Sequence, residues 1–135
     1  MRTKILSIAL LISIGFIACK KTSTTENPNL PIITGKWKYI KTVLNDFYLD
    51  SSHVYTYPGD ALDYVDFRTD GIAYSLTRGS YDTTVYGIIG NTKIWTGTPP
   101  DTFDIKLLTN SDLQLYKKTV SSASEYYEVI TYLTK

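Results

Sequence analysis

Short segments that alternate bulky and polar residues recur along the chain from residue 32 to its end. Between them stand pairs that favour tight turns, such as Asp70-Gly71 and Gly90-Asn91. Pro99 and Pro100 mark a further break, because proline cannot donate to a central ladder. No window shows the 3.6-residue period of an amphipathic helix. The pattern predicts eight strands, at residues 35–43, 61–67, 72–77, 83–89, 93–96, 103–107, 113–120 and 126–133.

The short connections between these segments determine the expected architecture. Hairpin-length turns predict an up-and-down antiparallel sheet, and closing the sheet removes its exposed edges. We therefore expect an all-β fold, an antiparallel barrel of about eight strands over residues 32–135. The interior of such a barrel is just wide enough to be filled by side chains or to hold one small ligand.

The first 18 residues have the composition of a targeting segment. Arg2 and Lys4 precede a mostly apolar run from residue 5 to residue 18, which has secretory length but is short for a bilayer span of about 20 residues. Phe16-Ile17-Ala18-Cys19 resembles the lipobox of bacterial lipoproteins, in which the cysteine is the first mature residue and is acylated. The resemblance implies a lipoprotein signal peptide at residues 1–18 and acyl chains such as palmitate on Cys19.

A polar segment with two prolines, residues 19–31, separates the acylated cysteine from the predicted barrel. Its residues cannot bury enough apolar surface to offset the entropy lost on ordering, so we expect a flexible tether. By resemblance to Gram-negative lipoproteins, Lys20 is not the Asp that retains such proteins at the inner membrane. We expect an envelope protein on the outer membrane that faces the periplasm, with exposure at the cell surface as the alternative. We also expect a monomer that contacts the membrane through Cys19.

Composition and charge exclude several classes of function. A formal net charge of +1, which becomes −1 without residues 1–18, is not the basic excess of a nucleic-acid binder. One Cys and one His are too few for a Cys/His zinc site, and the aspartates between residues 60 and 70 lack the spacing of a calcium loop, which favours turn and solvated-edge roles for them. His53 is the sole imidazole, and nucleophile-elbow and phosphate-loop motifs are missing. We therefore expect no catalytic residues, no metal and no cofactor.

Two motifs resemble those of lipocalins. Gly35-Lys36-Trp37, at the start of the first predicted strand, resembles their Gly-x-Trp signature. Phe67, Asp70 and Gly71 resemble the Phe-x-x-Asp-Gly hairpin of the small lipocalin-like domains of bacterial lipoproteins. The resemblance covers roughly residues 32–135 and implies a lipocalin-like barrel. From its chemistry alone, Trp37 on a first strand is suited to plugging one end of a barrel.

The segment from residue 45 to residue 60 is the longest one without a strand prediction. It is rich in aromatic residues, and the lipocalin resemblance implies that it lies across the mouth of the barrel. The alternative is an extra hairpin arm that packs on the barrel. A shift of one residue in register moves every side chain of a strand to the opposite face. The sequence therefore leaves open which of the 12 tyrosines face the barrel interior. The candidate contacts for a ligand or partner are Phe47, Tyr48, Tyr55, Tyr57, Tyr86 and Trp95.

Two hypotheses on function follow. The first is a non-catalytic module that binds a small apolar or amphipathic ligand, which predicts a cavity of several hundred Å³. The second is an accessory or inhibitor lipoprotein that docks another envelope protein through its loops or a sheet face. That hypothesis predicts a contiguous exposed aromatic patch in place of a cavity.

Overall fold

The computed structural model describes residues 30–135, and these form one short helix and nine strands. The predicted signal peptide, the predicted acylation of Cys19 and most of the predicted tether lie outside the described residues. The helix starts two residues before the boundary expected at residue 32. The elements are α1 Leu30–Ile33, β1 Gly35–Tyr48, β2 Ser51–Pro58, β3 Tyr64–Phe67, β4 Ile72–Thr77, β5 Ser80–Ile89, β6 Lys93–Thr96, β7 Asp101–Leu108, β8 Asp112–Ser122 and β9 Glu125–Thr134.

Eight of the nine strands close into an antiparallel barrel. The strand order is β1-β3-β4-β5-β6-β7-β8-β9, and pairing between β1 and β9 completes the circle. The predicted all-β barrel of about eight strands is thereby confirmed. No helix among residues 30–135 is long and apolar enough to cross a membrane.

The first strand is longer than predicted and belongs to two parts of the sheet. Residues 35–38 pair with β3, whereas residues 41–48 pair with β2, and a register shift between Tyr39 and Lys41 separates the two parts. Beyond the barrel, β2, β1, β9 and the end of β8 continue as a four-stranded sheet, which we call the extension. The aromatic segment 45–60 is therefore mainly a β-hairpin, as the second alternative predicted, but this hairpin extends beyond the barrel and does not pack on it.

The third strand is shorter than predicted, because residues 61–63 turn before the ladder begins. The Asp63 N–H donates to the Asp60 carbonyl at 3.1 Å, and the Asp60 N–H donates to an Asp63 carboxylate oxygen at 3.0 Å. The fifth strand starts three residues earlier than predicted, because Arg78 and Gly79, both with positive φ, complete the turn by themselves.

The core fills the end of the barrel that lies next to α1. Its fully buried side chains come from α1, β1, β6 and β8, and the turns after β3, β5 and β7 lie around the same end. The turns after β4 and β6 and the extension lie at the opposite end. The fully buried side chains are Ile33, Trp37, Ile94 and Leu113.

Candidate functional site

The end of the barrel next to α1 is closed by Trp37. Its side chain has no exposed surface, and its indole Nε1 donates to the Ile33 carbonyl at 2.6 Å. The Lys135 ammonium donates to the Ile32 carbonyl at 2.8 Å and lies 4.5 Å from the Trp37 ring centre. Gly35, at the start of β1, has a φ of 109°, a backbone conformation that residues with side chains rarely adopt. This end of the barrel therefore has a structural role.

The second signature hairpin belongs to the same closed end. Phe67 pairs with Gly35 across the sheet and is 3% exposed. An Asp70 carboxylate oxygen accepts the Ile72 N–H at 3.0 Å, and Gly71 takes a φ of 81°. The residues Phe67, Asp70 and Gly71 thus hold a tight turn and contribute to the core, which is a structural task.

The barrel interior above this core contains a cavity of about 170 Å³. Its wall is largely apolar, but five hydroxyl-bearing side chains come from five different strands. A wall of this type suits a ligand with an apolar body and a few polar groups. The hydroxyl-bearing residues are Tyr39, Ser75, Thr84, Thr96 and Thr131, and the apolar ones are Val65, Phe67, Ala73, Phe103, Leu115 and Leu133.

A larger concavity of about 510 Å³ lies at the open end of the barrel, and we call it the mouth. It is bounded by the base of the extension on one side and by the turn between β4 and β5 on the other. Tyr39 and Thr131 line both the mouth and the interior cavity, so the two spaces adjoin. The mouth has the volume of a small-molecule site, which is about 300–1,000 Å³. Its other side chains include Thr42, Tyr57, Asp63, Thr77 and Arg78.

Tyr39 stands at the junction of the two spaces and carries a protonated phenol. Burial raises the pKa of Tyr39 above the ordinary value of a tyrosine, and the negative charge of Asp63 raises it further. The hydroxyl therefore stays neutral at physiological pH and can both donate and accept a hydrogen bond. Tyr39 can thus orient a polar group of a ligand whose apolar part enters the barrel.

Asp63 is the buried carboxylate of the mouth, and its role is to hold backbone. It is 4% exposed, and its two oxygens accept the Arg78 N–H at 2.7 Å and the Asp60 N–H at 3.0 Å. The expected turn role is correct, but the expected solvated position is wrong for this residue. Because each of its oxygens accepts a backbone N–H, Asp63 holds these two connections together and adds one negative charge to the mouth.

Gly59 allows the connection after β2 to pass close to β1. A Cβ built on Gly59 would lie 2.4 Å from the Tyr39 carbonyl oxygen, which no side chain could tolerate. The Gly59 N–H also donates to the Ile40 carbonyl at 3.0 Å. This close approach holds β2 against the rim of the mouth.

The six aromatic candidates occupy different places. Tyr57 lines the mouth. Tyr55 lies two residues earlier on the same face of the extension, and this face continues the barrel interior. Tyr48 is exposed at the end of β1, and Phe47 stacks on Tyr126 on the opposite face with ring centres 4.3 Å apart. The structure therefore brings one of these four candidates, Tyr57, to the mouth.

The two remaining candidates lie away from both cavities. Tyr86 is 4% exposed, packs edge-on against Phe67 at 4.9 Å and donates its hydroxyl to the Arg68 carbonyl at 2.6 Å. Trp95 lies on the outer surface of the barrel and covers Gly87 of the neighbouring strand. A Cβ on Gly87 would lie 2.5 Å from the Trp95 indole nitrogen, so the ring packs directly on the backbone there. Tyr86 is thus a core residue, and Trp95 belongs to the outer wall.

Sequence reasoning did not select Tyr39, Asp63, Arg78 and Thr131. One signal could have identified Tyr39, because it stands two residues after Trp37, and residues two apart on a strand share a face. No sequence signal indicated that the other three residues lie together. Asp63 comes from the turn before β3, Arg78 from the turn between β4 and β5, and Thr131 from β9. Asp63 and Arg78 meet through a direct hydrogen bond, and the pairing of β1 with β9 adds Thr131.

A scan of the chain against protein-family models finds no match, and searches among curated proteins and among solved structures find none either. The lipocalin-like resemblance of the two sequence motifs therefore stays a prediction. The closed barrel and the cavity at its open end are the grounds on which a function can be argued.

Proposed function

We propose that the protein is a non-catalytic binding module that takes a small amphipathic molecule through the open end of its barrel. The observation that carries the proposal is the pair of adjoining spaces, about 170 Å³ inside the barrel and about 510 Å³ at the mouth, which share Tyr39 and Thr131. The apolar part of the ligand enters the interior, and its polar part stays among the hydroxyl groups at the rim. Desolvation of the apolar part supplies the main driving force.

The charge at the rim favours a polar or anionic end on the ligand. Lys41 and Arg78 both line the mouth, whereas Asp63 is its single carboxylate, so the formal charge of the lining is +1. The Tyr39 hydroxyl and the Thr42 and Thr131 side chains lie on the same rim. A ligand with a hydroxyl, carbonyl or carboxylate end can therefore be bound without leaving a buried charge unpaired.

Filling the shared wall of the two spaces tests this proposal. The probe is 1-anilinonaphthalene-8-sulfonate, an amphipathic anion that becomes fluorescent in apolar surroundings, titrated into a chain of residues 20–135. We expect Thr131→Phe to weaken binding by roughly tenfold or more, because the new ring occupies the entrance to the interior. The matched control is Thr83→Phe, at an exposed position of β5.

Two results would contradict the proposal. One is equal binding by Thr131→Phe and the unmodified chain while circular dichroism shows that both are folded. The other is loss of binding in Thr83→Phe as well, which would place the dye on the outer surface. Thermal unfolding of each variant distinguishes a blocked cavity from a destabilised barrel.

A second candidate function, the docking of another envelope protein, has one specific observation in its favour. The outer wall carries an apolar groove of about 420 Å³ around Trp95 and Pro100, flanked by Val85 and Ile89, which are 44% and 51% exposed. Such a patch is typical of protein contacts. We expect a docked protein to be lost in Val85→Lys and retained in Tyr81→Lys, whose side chain is exposed elsewhere on β5. Equal capture by both variants would contradict docking at the groove.

A further inference from the structure

The hairpin strand β2 forms an open edge of the extension. It pairs with β1 through all eight of its residues, and among residues 30–135 no strand pairs with its other side. Every residue of β2 is exposed. Along an open edge, backbone N–H and C=O groups of alternate residues point away from the sheet and can pair with another strand.

This edge lacks the features that usually prevent association. Its sequence, Ser-Ser-His-Val-Tyr-Thr-Tyr-Pro, has no Lys, Arg, Asp or Glu, and its register with β1 runs without a bulge. Val, Thr and Tyr at its centre have high strand propensity. The one protective feature is Pro58, which stands at the last position of the strand.

The other open edge of the same extension is built differently. Beyond Tyr116, the last residue of β8 that pairs with β7, β8 carries Lys117 and Lys118 and has a register shift between Val120 and Ser122. Lysines and bulges are the usual means by which proteins blunt an edge strand. One edge of the extension is thus protected, whereas β2 is open, uncharged and regular.

We propose that β2 pairs antiparallel with β2 of a second copy of this chain about a two-fold axis. An uncharged strand meets its own copy without like-charge repulsion. A strand that paired with the β8 edge would instead lie beside the register shift and beside Lys117 and Lys118, which are ion-paired with Asp101 and Glu128. A two-fold contact uses both β2 edges and is closed, so association stops at the dimer. The proposal replaces the monomer expected from the sequence.

The two-fold arrangement also matches side chains. An axis at Tyr55 places the two Tyr55 rings side by side, His53 opposite Tyr57 of the other copy, and Val54 opposite Thr56. Aromatic pairs and pairs of β-branched residues are favourable across antiparallel strands. The extensions of the two copies then form one continuous sheet of eight strands.

Native mass spectrometry of the full chain released from detergent tests the proposal. We expect a dimer for the unmodified chain and a monomer for Val54→Lys with Thr56→Lys, in which lysines of the two copies oppose each other. The matched control is Val120→Lys on the protected edge, since Val54 and Val120 are 66% and 63% exposed. This control should remain dimeric, with a dissociation constant within about twofold of the unmodified chain.

A charge-reversed pair separates loss of the contact from loss of the fold. Mixing the double-lysine chain with Val54→Glu, Thr56→Glu should restore a dimer that contains one copy of each, because opposite charges then face each other. A monomeric unmodified chain would overturn the proposal. A dimer that persists in the double-lysine variant would also overturn it, and so would a monomer that binds the extended segment of another protein along β2.

Discussion

Two aromatic residues of β1, two positions apart, determine the two ends of the barrel interior. Trp37 closes one end with its indole bonded to the Ile33 carbonyl, and Tyr39 borders the cavity and the mouth at the other. Because residues i and i+2 share a face of a strand, both side chains point inward. The different roles come from their surroundings, since packed core surrounds the first and open space adjoins the second.

Trp37→Phe should destabilise the protein by about 2–4 kcal/mol. The Phe ring leaves the buried Ile33 carbonyl without its donor and fills less of the core. Equilibrium unfolding in urea measures the change. Trp95→Phe is the control, because Trp95 lies outside the barrel, and we expect it to cost under about 1 kcal/mol. Equal losses of unfolding free energy in the two variants would contradict the role of Trp37 in closing the barrel end.

Tyr86 is a residue whose buried phenol links stability to alkaline pH. Burial, followed by the charges of Asp70 and Asp66, raises the pKa of Tyr86 from 10.0 to about 12. The folded protein therefore keeps a proton that the unfolded chain loses. This contribution to stability is complete below pH 10 and is lost as the pH rises towards 12.

Tyr86→Phe should change both the level and the pH dependence of stability. At neutral pH the variant loses the hydrogen bond to the Arg68 carbonyl, at a cost of about 0.5–1.5 kcal/mol. Between pH 10 and about 12 its free energy of unfolding should fall less steeply than that of the unmodified protein. Urea unfolding at a series of pH values measures both effects. Identical slopes in this range would show that another group dominates the alkaline loss.

At the scale of elements, Asp63 joins two connections that form one side of the mouth. Its carboxylate ties the link between β2 and β3 to the turn between β4 and β5, through the N–H groups of Asp60 and Arg78. Hydrogen bonds to a carboxylate are stronger than those between neutral groups. The shape of the mouth thus depends on one side chain that does not itself need to contact a ligand.

Asp63→Asn should destabilise the protein by about 1–3 kcal/mol, because the amide NH₂ would face a backbone N–H. Asp82→Asn is the matched control, since the Asp82 carboxylate accepts one neighbouring N–H at 2.8 Å on an exposed strand. The control should cost less than about 0.5 kcal/mol. Urea unfolding gives both values, and dye binding should weaken in Asp63→Asn alone. If Asp63→Asn were as stable as the unmodified protein, the hydrogen bonds of Asp63 to Asp60 and Arg78 would not be what holds the two connections together.

The element pattern was largely predictable from local signals. Turn pairs such as Asp70-Gly71 and Gly90-Asn91 stand where the chain reverses, because these residues adopt tight turns whatever surrounds them. The pairing of β1 with three partners was not predictable. It depends on a register shift near Ile40 and on Gly59, which lets the link after β2 pass close to β1.

At the scale of the whole molecule, the barrel has one end that is closed next to α1 and one end that is open. The described chain enters through α1 at the closed end, and the mouth lies at the other end. With an acylated Cys19, the closed end would lie nearest the tether, so a membrane at the N-terminus would leave the mouth open. The location at the outer membrane stays a proposal that rests on the lipobox resemblance and on Lys20 directly after the cysteine.

Labelling of the full chain in a bacterial host with an alkyne analogue of palmitate tests the anchor. We expect label on the unmodified chain and none on Cys19→Ala, which should leave the membrane fraction. Lys20→Ala retains the acceptor thiol and should still be labelled. Label on Cys19→Ala would place the acyl group elsewhere and contradict the predicted acylation of Cys19.

The order of strands and turns, and the residues suited to a plug, are local properties, and the sequence by itself determined them. The alternation of bulky and polar residues and the preferences of turn residues act over a few positions, so both can be recognised in the sequence without knowledge of the fold. The tertiary structure alone decided that Tyr39, Asp63, Arg78 and Thr131 share a rim, because strand pairing and ring closure bring these distant segments together. It also decided that β2 stands at an open edge while β8 carries the protecting lysines, since an edge exists only once the pairing partners are known.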